Sequence, residues 1–227
     1  SNAELGGGPK QMFSLGENLN NYFEVFYAIP KSENFTNYLN HKNHLVISER
    51  KINPIDIFKL IKFIKLNSID IVHAHGKGAG VLARITNLFL HKKLIYTFHG
   101  IHVECHSFIT NFVYLIYEYI FGKFDTHKIF VAESEKIYAK SLNISISNNF
   151  SVVNNGVKNM EFKEKKSYLN SSYEKKNISK ITVISVCRFV EQKNIKDIIK
   201  IAKEIPEIDF QIIGYGKLWK DIYKLLL

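Results

Sequence analysis

Lys180-Ile-Thr-Val-Ile-Ser-Val-Cys-Arg-Phe-Val-Glu-Gln-Lys-Asn194 is the stretch on which the reading of this chain turns. Its opening is a near-continuous, β-branched apolar run, the pattern of a strand buried on both faces of a parallel sheet. Arg188 comes next, and Lys193 stands five residues later, just before a helical pattern begins. Two cations therefore sit at the carboxyl end of a parallel-type strand. In an open α/β sheet that edge is where ligands bind, and a planar guanidinium with an ammonium suits a diphosphate. The same spacing also fits a solvated loop that carries two ordinary surface charges.

Outward from this stretch, strand and helix patterns alternate. Tyr22 to Ile29 reads as a strand, Glu33 to Asn40 as a short helix and His44 to Ser48 as a strand. Asn53 caps a helix with Pro54 at its first position, and Ile57, Leu60, Ile61 and Ile64 keep helical spacing along it. Further strands are expected at Asp70 to His75, Leu94 to His99, Lys128 to Ala132 and Phe150 to Val153, with helical runs between them. After the opening stretch come a helix from Ile195 to Ile205, a strand from Asp209 to Ile213, a Gly214-Tyr215-Gly216 loop and a last helical run. The class is therefore α/β: a Rossmann-like parallel sheet with helices on both faces, connected by right-handed crossovers.

Several places in this frame carry candidate chemistry. Gly6-Gly7-Gly8-Pro9 gives a side-chain-free approach to a helix N-terminus, where open N–H groups and the helix dipole attract anions. It is not a Walker A loop, because no Gly-Lys-Ser/Thr follows, and it also reads as a plain turn. Two histidine-glycine pairs, His75-Gly76 and His99-Gly100, fall where strands end, so both rings are expected at one rim of the sheet. His73, His75, His99, His102 and His106 could be taken for a metal cluster. His73 and His75 share a strand face, yet no Cys or acidic motif at zinc spacing accompanies them, and a hydrogen-bonded structural role is the reading for His73. Ser134 reads as a helix N-cap rather than a nucleophile, because no Gly-x-Ser-x-Gly elbow surrounds it. Ser107 to Phe124 is the most aromatic segment; it fits a core helix or a helix lying at a membrane interface, while Asn111 and Glu118 argue against a span.

Composition narrows the classes. With 227 residues, 46% of them hydrophobic and 23% charged, the chain is globular and long enough for one full domain and part of another. No run reaches the roughly 18 apolar residues of a membrane span and no secretory signal is seen, so a cytoplasmic location is expected. Cys105 and Cys187 suggest no disulfide framework. Ser1-Asn2-Ala3 looks like the remnant of a cleaved expression tag. The formal charge of +10 calls for an anionic partner. Nucleic acid is disfavoured, since neither zinc-finger spacing nor an RNA-binding aromatic signature is present; phospholipid headgroups and a sugar nucleotide both fit.

The opening stretch resembles the start of the second domain in glycosyltransferase family 4, two-domain enzymes of the GT-B fold. There the strand ends in Gly-Arg and a Lys follows a short loop, both side chains contacting the diphosphate of the donor. Cys187 stands here in place of the usual glycine, and Asn194 in place of the common glycine after the lysine. The resemblance implies donor contacts for Arg188, Lys193 and Gly214, a phosphate or acceptor loop at Gly7 and Gly8, and a sugar-shaping catalytic role for His99. It implies a strand before the glycine turn, so the chain is expected to lack the fold's first strand. Asn154-Asn155-Gly156-Val157 resembles the family's Asn-Gly-Val at the domain end.

Domains are then expected at 4–157, the acceptor-side GT-B domain, and at 181–227, the start of a donor-binding domain, with a linker at 158–180. The family's glutamate pair lies past Leu227, so this piece alone is expected to be inactive. The partial domain is expected to pack on the first, to associate with another copy of the chain, or to stay mobile. The implied reaction is retaining, metal-independent transfer of a hexose from a nucleotide sugar, with UDP-sugar favoured. The acceptor would be a glycan or lipid-linked molecule of bacterial surface polysaccharide, and the enzyme peripheral on the inner membrane. No cofactor is implied. A non-catalytic GT-B binding subunit and a nucleotide-sugar epimerase of related fold are the alternatives.

Overall fold

The computed structural model describes residues 6–32, 35, 43–48, 52–101, 103, 108–144, 149–156 and 181–226. They belong to two compact units, Ser1–Lys158 and Asn159–Leu227. The expected helix at Glu33 to Asn40, apart from Phe35, and the expected linker lie outside the described residues.

The first unit alternates helix and strand in the order α1 (Gly7–Leu19), β1 (Tyr27–Pro30), β2 (His44–Ile47), α2 (Pro54–Leu66), β3 (Ile71–His75), α3 (Gly76–Leu90), β4 (Lys93–Thr97), α4 (Phe108–Phe121), β5 (His127–Phe130), α5 (Glu133–Ser141) and β6 (Phe150–Val152). Every strand pair is parallel: β1 with β2, and β3-β4-β5-β6 as a four-stranded sheet. Among the described residues no strand joins β1 to β3, so the described strands of this unit lie in two parallel sheets. One apolar cluster nevertheless spans both, with Ile47, Leu60, Ile64 and Leu82 buried beside Ala28 of β1 and Val72 of β3.

The main core follows from strand alternation. Leu94, Tyr96 and Phe98 recur every second residue and point into one layer, and Phe98 stacks on Phe130 at 4.9 Å between ring centroids. The helix α2 begins as its sequence requires. Asn53 accepts a hydrogen bond from the Ile55 N–H at 3.0 Å, and Pro54 occupies the position where a missing N–H costs nothing.

Three local expectations need correction. The first strand is only Tyr27–Pro30, because among the described residues Tyr22 to Phe26 pair with no strand, and Tyr22 and Phe23 are exposed. Ser134 is not the cap of α5. Ala132 is the N-cap, and the Glu135 carboxylate takes the Val131 N–H at 3.1 Å instead. The strand of the opening stretch is not buried on both faces: Val186 is 74% exposed, because among the described residues its only sheet partner is one other strand.

That strand, β7 (Thr182–Val186), pairs in parallel with β8 (Asp209–Ile213), flanked by α6 (Ile195–Glu204) and α7 (Trp219–Leu226). Phe189, Ile195, Ile199 and Ile222 form the small core of this second unit. Among the described residues no helix is long and apolar enough to cross a membrane.

Candidate active site

In the first unit, the strand ends gather three imidazoles. Parallel register sets His73 beside Ile95 and His75 beside Thr97, and the chain continues two residues past the end of β4 to His99. The His75 Nδ1 and His99 Nε2 atoms lie 3.1 Å apart, so one ring donates its proton and the other accepts it. His73 Nε2 lies 2.8 Å from the Thr97 hydroxyl and its ring packs 4.1 Å from His75. The hydrogen-bonded role expected of His73 is thus what its geometry gives.

Burial favours the neutral form of all three rings. It lowers His73 to about 4, with His99 adding repulsion, and lowers His75 to about 2, with His73 and His99 both contributing. Burial also lowers His99. A neutral His99 can accept or donate one hydrogen bond, which suits positioning of sugar hydroxyls better than supply of fixed positive charge. Among the described residues no group of three or more His, Cys, Asp or Glu is arranged to hold a metal ion; His102 and His106 lie outside them.

Two glycines turn the chain at this rim. Gly76 has φ +77° and Gly100 has φ +101°, left-handed values that a side chain resists, so each histidine is followed by a residue able to reverse the strand. The expected glycine loop meets the same place from the other side. Gly6 is the N-cap of α1, and Gly7 and Gly8 form its first turn rather than a loop before it. A Cβ at Gly8 would stand 3.5 Å from the His99 ring, so the bare helix terminus rests directly against the imidazole. No side chain caps α1 or α3, and neither first turn carries an acid. Open N–H groups of the α1 start therefore lie beside His99, where the dipole favours an anion.

Arg188 and Lys193 belong to the second unit and are both exposed at the carboxyl end of β7. Their loop is held by backbone hydrogen bonds: Cys187 N–H to Ile213 O, Phe189 N–H to Tyr215 O and Lys193 N–H to Val190 O, each 3.0 Å. Asn194 adopts φ +45° and ψ +45° between the one-turn 3-10 helix Glu191–Lys193 and α6. Asparagine is among the few residues with a side chain that enter this region readily, so its conformation is one a glycine would also adopt. Gly214 has a packing reason of its own, since a Cβ there would fall 1.9 Å from the Cys187 carbonyl oxygen.

Two features were not read from the sequence. Glu135 on α5 accepts hydrogen bonds from the N–H groups of Gly100, at 2.5 Å, and Val131, clamping the turn after His99 to the end of β5. Beneath α4 lies a sealed charge network. Arg84 donates to both oxygens of Asp125 at 2.9 and 2.6 Å and to Glu118 at 2.9 Å, while Lys128 donates to the Gly122 carbonyl at 2.6 Å. The Arg84 guanidinium also faces the Tyr96 ring at 4.5 Å. Burial pushes the Glu118 carboxyl upward against the pull of Arg84. Lone charges of opposite sign inside the apolar runs Val81 to Ile85 and Phe112 to Phe121 were the available signal.

The fold defined by these elements is that of GT-B glycosyltransferases. Anabaena HepE, solved with UDP and glucose, matches 100% of this chain and 63% of its own, with a TM-score of 0.72 at 14% identity. A glycosyltransferase from Rickettsia africae matches 96% of this chain and 61% of its own, with a TM-score of 0.66 at 16% identity. The sequence profile of Glycosyltransferase Family 4 matches residues 5–159, and the chain belongs to that family. A Klebsiella pneumoniae protein described as an uncharacterized 41.2 kDa protein in the cps region is 30% identical over 213 residues, covering 86% of this chain and 57% of that one. The chain thus spans 57% to 63% of the length of these relatives.

Proposed function

We propose that the full-length protein transfers a hexose from a UDP-sugar to a glycan or lipid-linked acceptor, in the synthesis of a bacterial surface polysaccharide such as capsule. The observation that carries this reading is the contact of His99 with the uncapped α1 start at Gly8, in a chain of glycosyltransferase family 4. HepE was solved with UDP and with UDP-glucose, and the Klebsiella relative lies in a cps region; both support the choice of donor and pathway class.

Arg188 and Lys193 neutralise the diphosphate as it departs, and that charge stabilisation is the main electrostatic contribution to the transition state. Gly7 and Gly8 let substrate oxygens approach backbone N–H groups without a side chain in the way. His99, neutral and held by His75, orients the transferring sugar. Retention of anomeric configuration and independence of a metal belong to the same proposal, and the enzyme works at the cytoplasmic face of the inner membrane.

The test is a sugar-nucleotide turnover screen on the full-length protein with lipid-linked acceptors. Release of UDP that depends on acceptor is expected, with His99→Ala lowering kcat at least about 100-fold at unchanged fold, the scale of losing a positioned catalytic contact. Acceptor-dependent turnover that survives intact in His99→Ala contradicts the role of that ring, and no turnover with any nucleotide sugar favours a binding subunit.

A further inference from the structure

Two of the rim imidazoles meet nitrogen to nitrogen, and the way they meet determines which nitrogen of His99 is left for a ligand. The His75 Nδ1 and His99 Nε2 atoms are 3.1 Å apart, and the ring centroids are 5.4 Å apart with 24° between the planes. That separation is the nitrogen gap plus one ring radius on each side. The rings therefore lie edge to edge in nearly one plane, in line for a hydrogen bond rather than face to face. His99 Nε2 is thereby committed to His75, and Nδ1 is the nitrogen that remains for a substrate.

A bond between two neutral imidazoles can run in either direction, and the surroundings select one. The atoms of His99 nearest to the point where a Gly8 Cβ would stand are Cγ and Cδ2, both at 3.5 Å, and Nδ1 at 3.8 Å. Nδ1 thus lies beside the uncapped start of α1, the positive end of that helix. A positive potential there disfavours a proton on Nδ1 and favours its lone pair. The proton of His99 then sits on Nε2, and Nε2–H donates to His75 Nδ1. His75 is able to accept because it is uncharged: burial lowers it to about 2, with repulsion from His73 and His99 adding to the effect. A neutral ring that accepts at Nδ1 carries its own proton on Nε2. His73 packs against this ring at 4.1 Å between centroids, and its own Nε2 is 2.8 Å from the Thr97 hydroxyl, which keeps the pair from turning.

We propose that His75 is a positioning residue: its Nδ1 accepts the hydrogen bond from His99 Nε2–H and so fixes the tautomer in which His99 Nδ1 accepts a hydrogen bond from a hydroxyl of the donor hexose, an inference that rests on the transfer reading for the identity of that sugar. The partner of His99 is then a hydroxyl that gives a proton to the bond, not a ring or phosphate oxygen that could only accept one.

The test is a long-range proton–nitrogen correlation spectrum of the imidazole rings in the full-length protein labelled with nitrogen-15 histidine, with signals assigned through His75→Asn and His99→Gln. In the unliganded wild type, His75 and His99 should both be protonated at Nε2 and bare at Nδ1. UDP-glucose should move the His99 Nδ1 signal toward that of a protonated nitrogen, as a lone pair does on accepting a hydrogen bond, and UDP alone should not. His75→Leu, which removes the acceptor, should shift both His99 nitrogens toward the average of the two tautomers. It should also lower kcat about tenfold with KM for UDP-glucose changed less than about threefold. The amide oxygen of His75→Asn can stand in for Nδ1 as acceptor and should recover most of the loss, with circular dichroism confirming the fold of both variants. A proton on His99 Nδ1 in the wild type, the same spectrum with UDP-glucose as with UDP, or equal losses of kcat in His75→Leu and His75→Asn overturns the proposal. Absence of wild-type turnover with every nucleotide sugar sinks the transfer reading alone, because the unliganded spectrum decides the tautomer without it.

Discussion

Replacing Arg84 with Met should be the most damaging single change in the first unit. The side chain is 1% exposed and supplies three charge-assisted hydrogen bonds, two to Asp125 and one to Glu118. Without it two carboxylates remain in the core, with Lys128 Nζ still 3.7 Å from Asp125. Breaking a buried pair from one side costs about 3–5 kcal/mol, against a total stability of about 5–15 kcal/mol for a domain. The unfolded fraction should therefore rise roughly 100-fold to several thousand-fold. Arg84→Lys keeps the charge but not the fork that meets both Asp125 oxygens, and should cost roughly half as much.

The loss should come from stranded charge more than from lost packing, and a triple change tests that. Arg84→Met combined with Glu118→Gln and Asp125→Asn should recover a large part of the stability, because a neutral core of similar volume carries no uncompensated ions. The loss in Arg84→Met should also shrink as the pH is lowered. Glu118 without its partner has a folded-state pKa above the unfolded value, so its unfavourable contribution appears as pH rises and disappears as pH falls. Urea unfolding followed by far-ultraviolet circular dichroism measures each variant. A cost below about 1 kcal/mol for Arg84→Met, or a triple variant no better than the single one, refutes the reasoning.

The histidine rim gives a pH dependence of the wild type. His73 and His75 have folded-state values of about 4 and about 2, below the ordinary value of 6.5, so the unfolded chain binds protons first and stability is lost as pH falls below about 6.5. The slope should average about 1 kcal/mol per pH unit for each ring between pH 7 and 5 and approach about 1.4 toward the lower end, read from urea midpoints, and His73→Gln should flatten it. Glu135→Ala should release the turn after His99 and lower kcat about tenfold with KM less affected, and Glu135→Gln, which keeps one acceptor oxygen, should fall between it and the wild type. Equal loss in both variants through KM alone would speak against positioning. Gly214→Ala should destabilise the second unit by about 2 kcal/mol or more, since its Cβ would meet backbone that has no room to move. Thermal unfolding followed through Trp219 fluorescence reads this loss, and an unshifted midpoint contradicts it.

The alternation of strands and helices was legible because each apolar run had the period of its element, as in Leu94, Tyr96 and Phe98 against Leu60 and Ile64. Burial was less so. The β-branched run after Lys180 has the composition of an inner strand, yet its exposure depends on neighbours that composition does not reveal. Tyr22 to Phe26 likewise has strand propensity but no strand beside it among the described residues, and pairing outweighs propensity. At Ser134 a good capping residue lost its place to Glu135, whose longer side chain reaches two N–H groups at once. The strand-end rule brought His75 and His99 to one rim. The approach of Gly8 to His99 crosses 91 residues of sequence and came into view only in three dimensions, as did the meeting of Arg84 with Glu118 and Asp125.

The proposal turns on Arg188 and Lys193, at the end of β7, as the groups that would hold the donor diphosphate. Its most direct test is equilibrium binding of UDP to the full-length protein and to its Arg188→Ala, Lys193→Ala double variant, at fixed low salt. The account predicts that the double variant binds at least 100-fold more weakly, the loss of two charge-assisted contacts of about 1.5–3 kcal/mol each. Equal affinity in the two proteins contradicts it.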